Sequence, residues 1–380
     1  MENERIGKIC RQAVESGELA GCSLLVKQSG EEKLFVTSGY ACMETQERIR
    51  RDHIFRLYSQ TKPVISAAVA LLIDRGELDA FEEVRTFLGG FVNQKVWVGG
   101  EKVPVKRNCR VMDLLGMMSG LVYPREDEAG REMAELFEEN ERAMDEGGGM
   151  CTVDFVNAMG QRGLAFHPGQ SFRYGVSADV LGAIVEIVSG KKLGQFLKEE
   201  FFDPLGMKDT AFFVPEEKQN RLVHCYQRTG EGVRPYKVRH LCVRDHTSSP
   251  AFESGGAGLY STVDDYAAFA EMLMNRGVYR GRRILSRAAV DFMTSPQTEP
   301  EGWENLAGYS YGKLMRICTC PGKALLFSEM GEYGWDGWLG TYFANLPHRE
   351  MTILFFQNTK DTGTGPALRK VRNACLGLEE

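Results

Sequence analysis

Three serines in this chain stand three residues before a lysine: Ser59–Lys62 in "FRLYSQTKPVISAAVALLIDRG", Ser189–Lys192 in "EIVSGKKL" and Ser310–Lys313 in "GYSYGKL". A serine hydroxyl becomes a nucleophile only when a neighbouring group takes its proton. A lysine can do so once its amine is neutral, which its ordinary pKa of about 10.4 forbids near pH 7. Burial and the positive end of a helix both disfavour the ammonium and lower that pKa. The spacing arises by chance about once in 300 residues, so the surroundings must choose.

Ser189 closes an amphipathic stretch, Gly190 supplies a helix stop, and lysines there suit a negative helix end. That match is structural. Ser310 lies in "GYSYG", which also satisfies Gly-x-Ser-x-Gly, with Asp336 and His348 coming later in the chain order of an α/β-hydrolase. Such an elbow needs a strand before the serine and a helix straight after it. The next stretch, "KLMRICTCPGKALLF", alternates and turns like strands, and no parallel β/α alternation precedes the serine. Ser59 has the better setting, ahead of a run that is apolar on nearly every side from Val64 to Ile73. The start of a helix leaves N–H groups unpaired, which stabilise an alkoxide or an oxyanion. It also sets Lys62 one turn along, within reach of Ser59. Pro63 in or near the first turn removes at most one backbone bond. A capped helix with its lysine in water accounts for the same residues, so local physics leaves both readings open.

The elements that must position these residues can be read from patterning. Residues 4–16 place Ile6, Ile9, Cys10, Ala13 and Val14 on one helical face, and "CSLLVKQSGEEKLFVTSGYA" reads as an antiparallel hairpin. A helix without a polar face, such as the one after Lys62, belongs inside a protein. From about 76 to 249 helices and loops dominate; "STVDD" opens a later helix with a hydroxyl cap and an acidic first turn. "YSYGKLMRICT", "KALLFSEMG", "GTYFANLP" and "EMTILFFQN" return to strand character before a terminal helix, "GPALRKVRNACLGL". Strands at both ends with helices between predict an α+β fold, an antiparallel sheet flanked by helices. The expected division is a discontinuous sheet lobe (1–75 and 250–380) and an inserted, mostly helical lobe (76–249), with the active site at their junction.

Composition narrows the partners. The chain has 380 residues, 43% hydrophobic and 26% charged, with a net charge of −6 and no basic block. Nucleic acid and anionic membranes are therefore not expected partners. The charged N-terminus lacks an apolar signal-length core, and no segment has eighteen uncharged apolar residues in succession, which suggests a cytoplasmic protein. Ten scattered cysteines without a Cys-x-x-Cys pair suit reduced thiols. His240, Cys242 and His246 lack a second ligand pair, so neither a metal nor another cofactor is expected.

Beyond these readings, several ordered stretches resemble the serine β-lactamase and penicillin-binding protein superfamily, specifically its class C β-lactamase-like branch with family VIII carboxylesterases. They are "FRLYSQTKPV", "VMDLLGMMSGLVYP", "FHPGQSFRYGVSADVLGAIVEIVSG", "DPLGMKDTAFFVP", "SGGAGLYSTVDDYAAFAEMLMNRGVYRGRRILS" and "YGWDGWLGTYFANLP", spread over about residues 20–358. The resemblance implies a β-lactamase/transpeptidase-like fold and chooses Ser59. The family's Ser-x-x-Lys falls on Ser59 and Lys62. Its Tyr-x-Asn falls on Tyr174, with Val176 in the asparagine's place, and its Lys-Thr-Gly falls on Trp335, Asp336 and Gly337. By resemblance Ser59 is acylated, Lys62 and Tyr174 share the proton traffic, and the backbone N–H groups of Ser59 and Trp338 hold the oxyanion.

The departures narrow the substrate. Val176 cannot donate a hydrogen bond to an amide, and Asp336 would repel a carboxylate unless turned away. Trp335 and Trp338 suggest an apolar wall instead. Trp335, Asp336, Gly337 and Val176 are thus the expected substrate-binding positions. The expected activity is a carboxylesterase on small neutral esters, or acyl transfer to another alcohol. The alternatives are a weak β-lactamase or D-amino-acid peptidase, and an inactive binding protein that senses a peptide or amide.

Overall fold

The computed structural model describes residues 2–230, 232–300, 303–360, 362–363 and 365–379. The predicted hairpin is β1 (Gly21–Gln28) and β2 (Glu31–Cys42), with β3 (Glu47–Arg48) after it. The late strands are β4 (Tyr309–Tyr311), β5 (Arg316–Cys318), β6 (Tyr333–Asp336), β7 (Tyr342–Leu346) and β8 (Met351–Gln357). They form one eight-stranded sheet in the order β4-β5-β6-β7-β8-β1-β2-β3, antiparallel at every pairing. The two ends of the chain meet where β1 pairs with β8, from Cys22 opposite Gln357 to Gln28 opposite Met351.

Alternation sorts the side chains onto two faces. Leu24, Val26, Ile353 and Phe355 pack under α1 (Glu2–Glu15) and the terminal helix α5 (Pro366–Cys375), against Ile6, Cys10, Leu368 and Val371. Leu25, Leu354 and Phe356 face the larger core, which includes α2 (Lys62–Asp74), α3 (Ser177–Ser189) and α4 (Val263–Met274). In α2 every residue from Lys62 to Leu72 is buried, as its apolar composition requires. It packs against α3 and the short helix Arg287–Met293. Thr262 caps α4 by accepting from the Asp265 N–H at 3.1 Å.

Between α2 and β4 the chain also forms helices Glu128–Asp145 and Thr152–Gly160 and two small hairpins, Lys95–Pro104 and Tyr226–Pro235. Ser310 lies inside β4, which turns into β5 rather than a helix, so the elbow pattern has no elbow. All ten cysteines are free thiols. No helix among the described residues is long and apolar enough to cross a membrane.

Candidate active site

The chain enters the site through an unusual turn. Tyr58 takes a left-handed φ of 47°, a region that a bulky residue occupies only when its surroundings hold it there. Its buried ring is held 5.1 Å from that of Trp338. Ser59 then lies in a 3-10 turn, Tyr58–Thr61, which feeds into α2 at Lys62. Sequence reasoning expected Ser59 on the α-helix itself. The tighter turn serves better, because three residues per turn bring positions i and i+3 into line.

Lys62 Nζ is 3.2 Å from Ser59 Oγ, 3.0 Å from Tyr123 Oη and 2.8 Å from the Gly256 carbonyl oxygen. The lysine is 0% exposed. Burial lowers its pKa to about 7, against an opposing pull from the negative charge of Asp179. Burial thus favours the neutral amine, which is the state a base requires.

Tyr174 enters the site from the segment ahead of α3 and packs against Tyr123 and Trp335. Gly175 is required beside it, since a Cβ there would lie 2.4 Å from the Leu121 carbonyl oxygen. The Tyr174 hydroxyl accepts from Trp335 Nε1 at 3.0 Å. The tryptophan N–H can only donate, so the phenol keeps its own proton for Ser59 or a substrate. Burial pushes the Tyr174 pKa well above the phenolic range. Lys62 Nζ sits 4.6 Å from the centre of the Tyr174 ring.

The third motif lies at the end of β6. Gly337 permits a close approach to the serine segment, because a Cβ would meet Leu57 O at 2.3 Å and Thr341 Oγ1 at 2.1 Å. Neither the Ser59 N–H nor the Trp338 N–H has a hydrogen-bond partner among the described residues. The Trp338 ring turns aside to stack on His240 at 4.1 Å. His240, Cys242 and His246 form no three-ligand group among the described residues. Two expectations need correction. Asp336 is not a free negative charge, since buried Arg316 donates to it at 2.7 Å. Val176 lines no accessible surface: it caps α3, is 0% exposed and belongs to the main core.

Sequence reasoning passed over other members of the site. Tyr123 lies within the "SGLVYP" stretch, and Gly256 within "SGGAG". Trp303 carried no signal at all. Its ring is 5.3 Å from that of Tyr174, and it lies nearly parallel to Trp335 at 6.5 Å, with Phe172 at 5.5 Å. Trp303 is partly exposed whereas Trp335 is buried, so Trp303 forms the outer part of this aromatic group.

Comparison with known proteins agrees with this architecture. The beta-lactamase family model matches residues 6–376. Esterase EstB of Burkholderia gladioli is 27% identical over 387 residues, covering 97% of this chain and 94% of EstB. Protein Rv1367c of Mycobacterium tuberculosis is 28% identical over 393 residues, covering 96% and 94%. Among solved structures, EstCE1, a hydrolase with promiscuous acyltransferase activity, matches with a TM-score of 0.81 over 98% of each chain at 23% identity. The fold is thus that of β-lactamases and penicillin-binding proteins, a superfamily of serine hydrolases. With a match that runs through both ends of the sheet and everything between them, the chain belongs to the beta-lactamase family.

Proposed function

We propose that this chain is a carboxylesterase acting on small neutral esters through an acyl-enzyme on Ser59. One observation carries the reading: a fully buried lysine amine, its pKa lowered by burial to about 7, lies 3.2 Å from Ser59 Oγ and 4.6 Å from the centre of the Tyr174 ring. In acylation Ser59 Oγ attacks the ester carbonyl as its proton passes to Lys62 Nζ. The oxyanion is received by the unpaired N–H groups of Ser59 and Trp338. Tyr174 gives its proton to the departing alkoxide and becomes a phenolate, stabilised by the Trp335 N–H and the nearby ammonium. In deacylation that phenolate takes a proton from water as the water attacks, and Lys62 returns its proton to Ser59 Oγ. The protons balance over the cycle, with the two groups exchanging roles between its halves.

Neutral esters are favoured because the third motif presents no cation to a substrate carboxylate. Arg316 is buried and already bonded to Asp336. Trp303 and Phe172, backed by the buried Trp335, offer apolar surface for an acyl or alcohol group. The relation to EstB supports an esterase, and the promiscuous acyltransferase activity of EstCE1 supports acyl transfer as a variant in which an alcohol replaces water. The two-lobe division fits this reading. Ser59, Trp335 and Trp338 come from the sheet lobe (1–75 and 250–380), whereas Tyr123 and Tyr174 come from 76–249.

The test is turnover of short p-nitrophenyl esters beside a chromogenic cephalosporin, for the wild type and Ser59→Ala. Ester turnover that vanishes in the variant is expected. Turnover of the cephalosporin alone would make the chain a β-lactamase. Silence on both, with no fluorophosphonate labelling, would make it a binding protein.

A further inference from the structure

Asp179 lies in the "FRYGVSADVLG" stretch but has no role in the reading above, yet it and the reactive amine feel each other's charge. It stands in the first turn of α3, five residues beyond Tyr174, and only 3% of it is exposed. Its Oδ1 accepts from Ser254 Oγ at 2.6 Å and from the Gly256 N–H at 2.9 Å. No arginine or lysine forms a salt bridge with it among the described residues, and Lys62 is the cation whose charge it feels. The turn it grips has no room to shift. A Cβ on Gly256 would lie 2.6 Å from Asp179 Oδ2, and one on Gly255 would lie 2.4 Å from the Ala178 carbonyl oxygen.

The other polar atom of Gly256 completes the link, since its carbonyl accepts from Lys62 Nζ at 2.8 Å. A neutral amine has two N–H bonds and one lone pair. The carbonyl can only accept, so it fixes one N–H, and Tyr123 Oη can accept the other at 3.0 Å. The lone pair is then left for the Ser59 hydroxyl. Turned any other way, the amine would offer Ser59 a hydrogen rather than a lone pair. A buried, hydrogen-bonded carboxylate also supplies negative charge that limits how far burial depresses the amine.

We propose that Asp179 is the positioning residue and resident counter-charge of the Lys62 base, holding the Gly255–Gly256 turn so that the Gly256 carbonyl orients the amine's lone pair toward Ser59. This rests on the esterase reading for its catalytic meaning but not for its electrostatics. Among the described residues the titratable groups facing Lys62 are Tyr123, Tyr174 and Asp179; burial raises the pKa of all three, and Asp179 is the one whose negative charge opposes the loss of the Lys62 proton.

The experiment pairs a direct titration with kinetics. The 13Cε resonance of Lys62 in lysine-labelled protein, assigned by its loss in Lys62→Met, is tracked against pH in the wild type and in Asp179→Asn. Loss of the counter-charge is expected to move the Lys62 midpoint down by about one pH unit, with the acid limb of kcat/KM moving equally. An unmoved or raised midpoint in folded Asp179→Asn would overturn the counter-charge. Ser254→Ala removes one hydrogen bond from Asp179 but keeps its charge. It should lower kcat about three- to tenfold, the size of one lost hydrogen bond, with KM and the midpoint unchanged. An unchanged kcat there would overturn the positioning role. Because the resonance requires no turnover, it tests the electrostatics even if Ser59→Ala shows that ester hydrolysis belongs elsewhere.

Discussion

Ser59–Lys62 and Ser310–Lys313 spell the same motif in buried surroundings, yet only the first pair meets. Lys62 Nζ bonds Ser59 Oγ, whereas Lys313 Nζ reaches the Ser295 carbonyl oxygen and lies 4.8 Å from the Phe292 ring centre. Ser310 instead donates to Glu299. Burial lowers the pKa of both lysines, so a depressed pKa does not distinguish them. Backbone geometry does. Ser310 lies in β4 and Lys313 in the turn beyond it, whose chain carries the lysine away, while a 3-10 turn stacks i and i+3. The second difference is company: Tyr123, Tyr174 and the Gly256 carbonyl converge on the first pair from distant parts of the chain.

Removing each serine breaks the comparison most sharply. Ser59→Ala should reduce ester kcat/KM by at least about 10⁴-fold, in line with loss of a nucleophile. Ser310→Ala and Lys313→Met should stay within about twofold of wild type, measured with p-nitrophenyl butyrate. Loss in Ser310→Ala with retention in Ser59→Ala would reverse the assignment.

Tyr174→Phe should cost about 10²–10³-fold with alkyl esters, the range of general acid–base catalysis. The loss should shrink with p-nitrophenyl esters, whose leaving group needs no proton. Equal losses across a leaving-group series would remove the proton-donor role.

The acid limb of kcat/KM should fall near pH 7, where Lys62 takes a proton, by about tenfold per unit below it. Stability carries the same signature with a definite sign. The folded pKa of Lys62 lies below the lysine reference, so between about pH 7 and about 10.4 the unfolded chain binds the extra proton. Stability contributed by Lys62 therefore rises with pH through that window and is lowest below it. Wild type should gain on Lys62→Met in urea midpoint between pH 6.5 and 9.5, and a reversed or flat difference would mean that Lys62 is solvated. The smallest effect is expected for Tyr123→Phe. It removes one neutral hydrogen bond to the amine and should lower kcat about three- to tenfold with KM unchanged.

Much of the fold was legible in the sequence because it is local. The β1–β2 hairpin, the apolar α2, the Thr262 cap and the return to strands after residue 308 arise from periodicity and capping chemistry. Charge and exposure at the third motif were not. Asp336 reads as a repelling acid until Arg316, twenty residues earlier in the chain, is seen to neutralise it. Val176 reads as a substrate contact until the core closes over it. Asp179 and Trp303 gave no signal, since each acts only through partners remote in the chain.

By itself, then, the sequence determined the elements, the apolar helix behind Ser59 and the order of the motif residues, because patterning and turn chemistry act over a few neighbouring residues. Only the tertiary structure decided which serine meets its lysine, how far that lysine is desolvated and which polar groups surround it. Those outcomes depend on excluding water and on contacts between segments more than fifty residues apart, and neither is encoded in any local stretch.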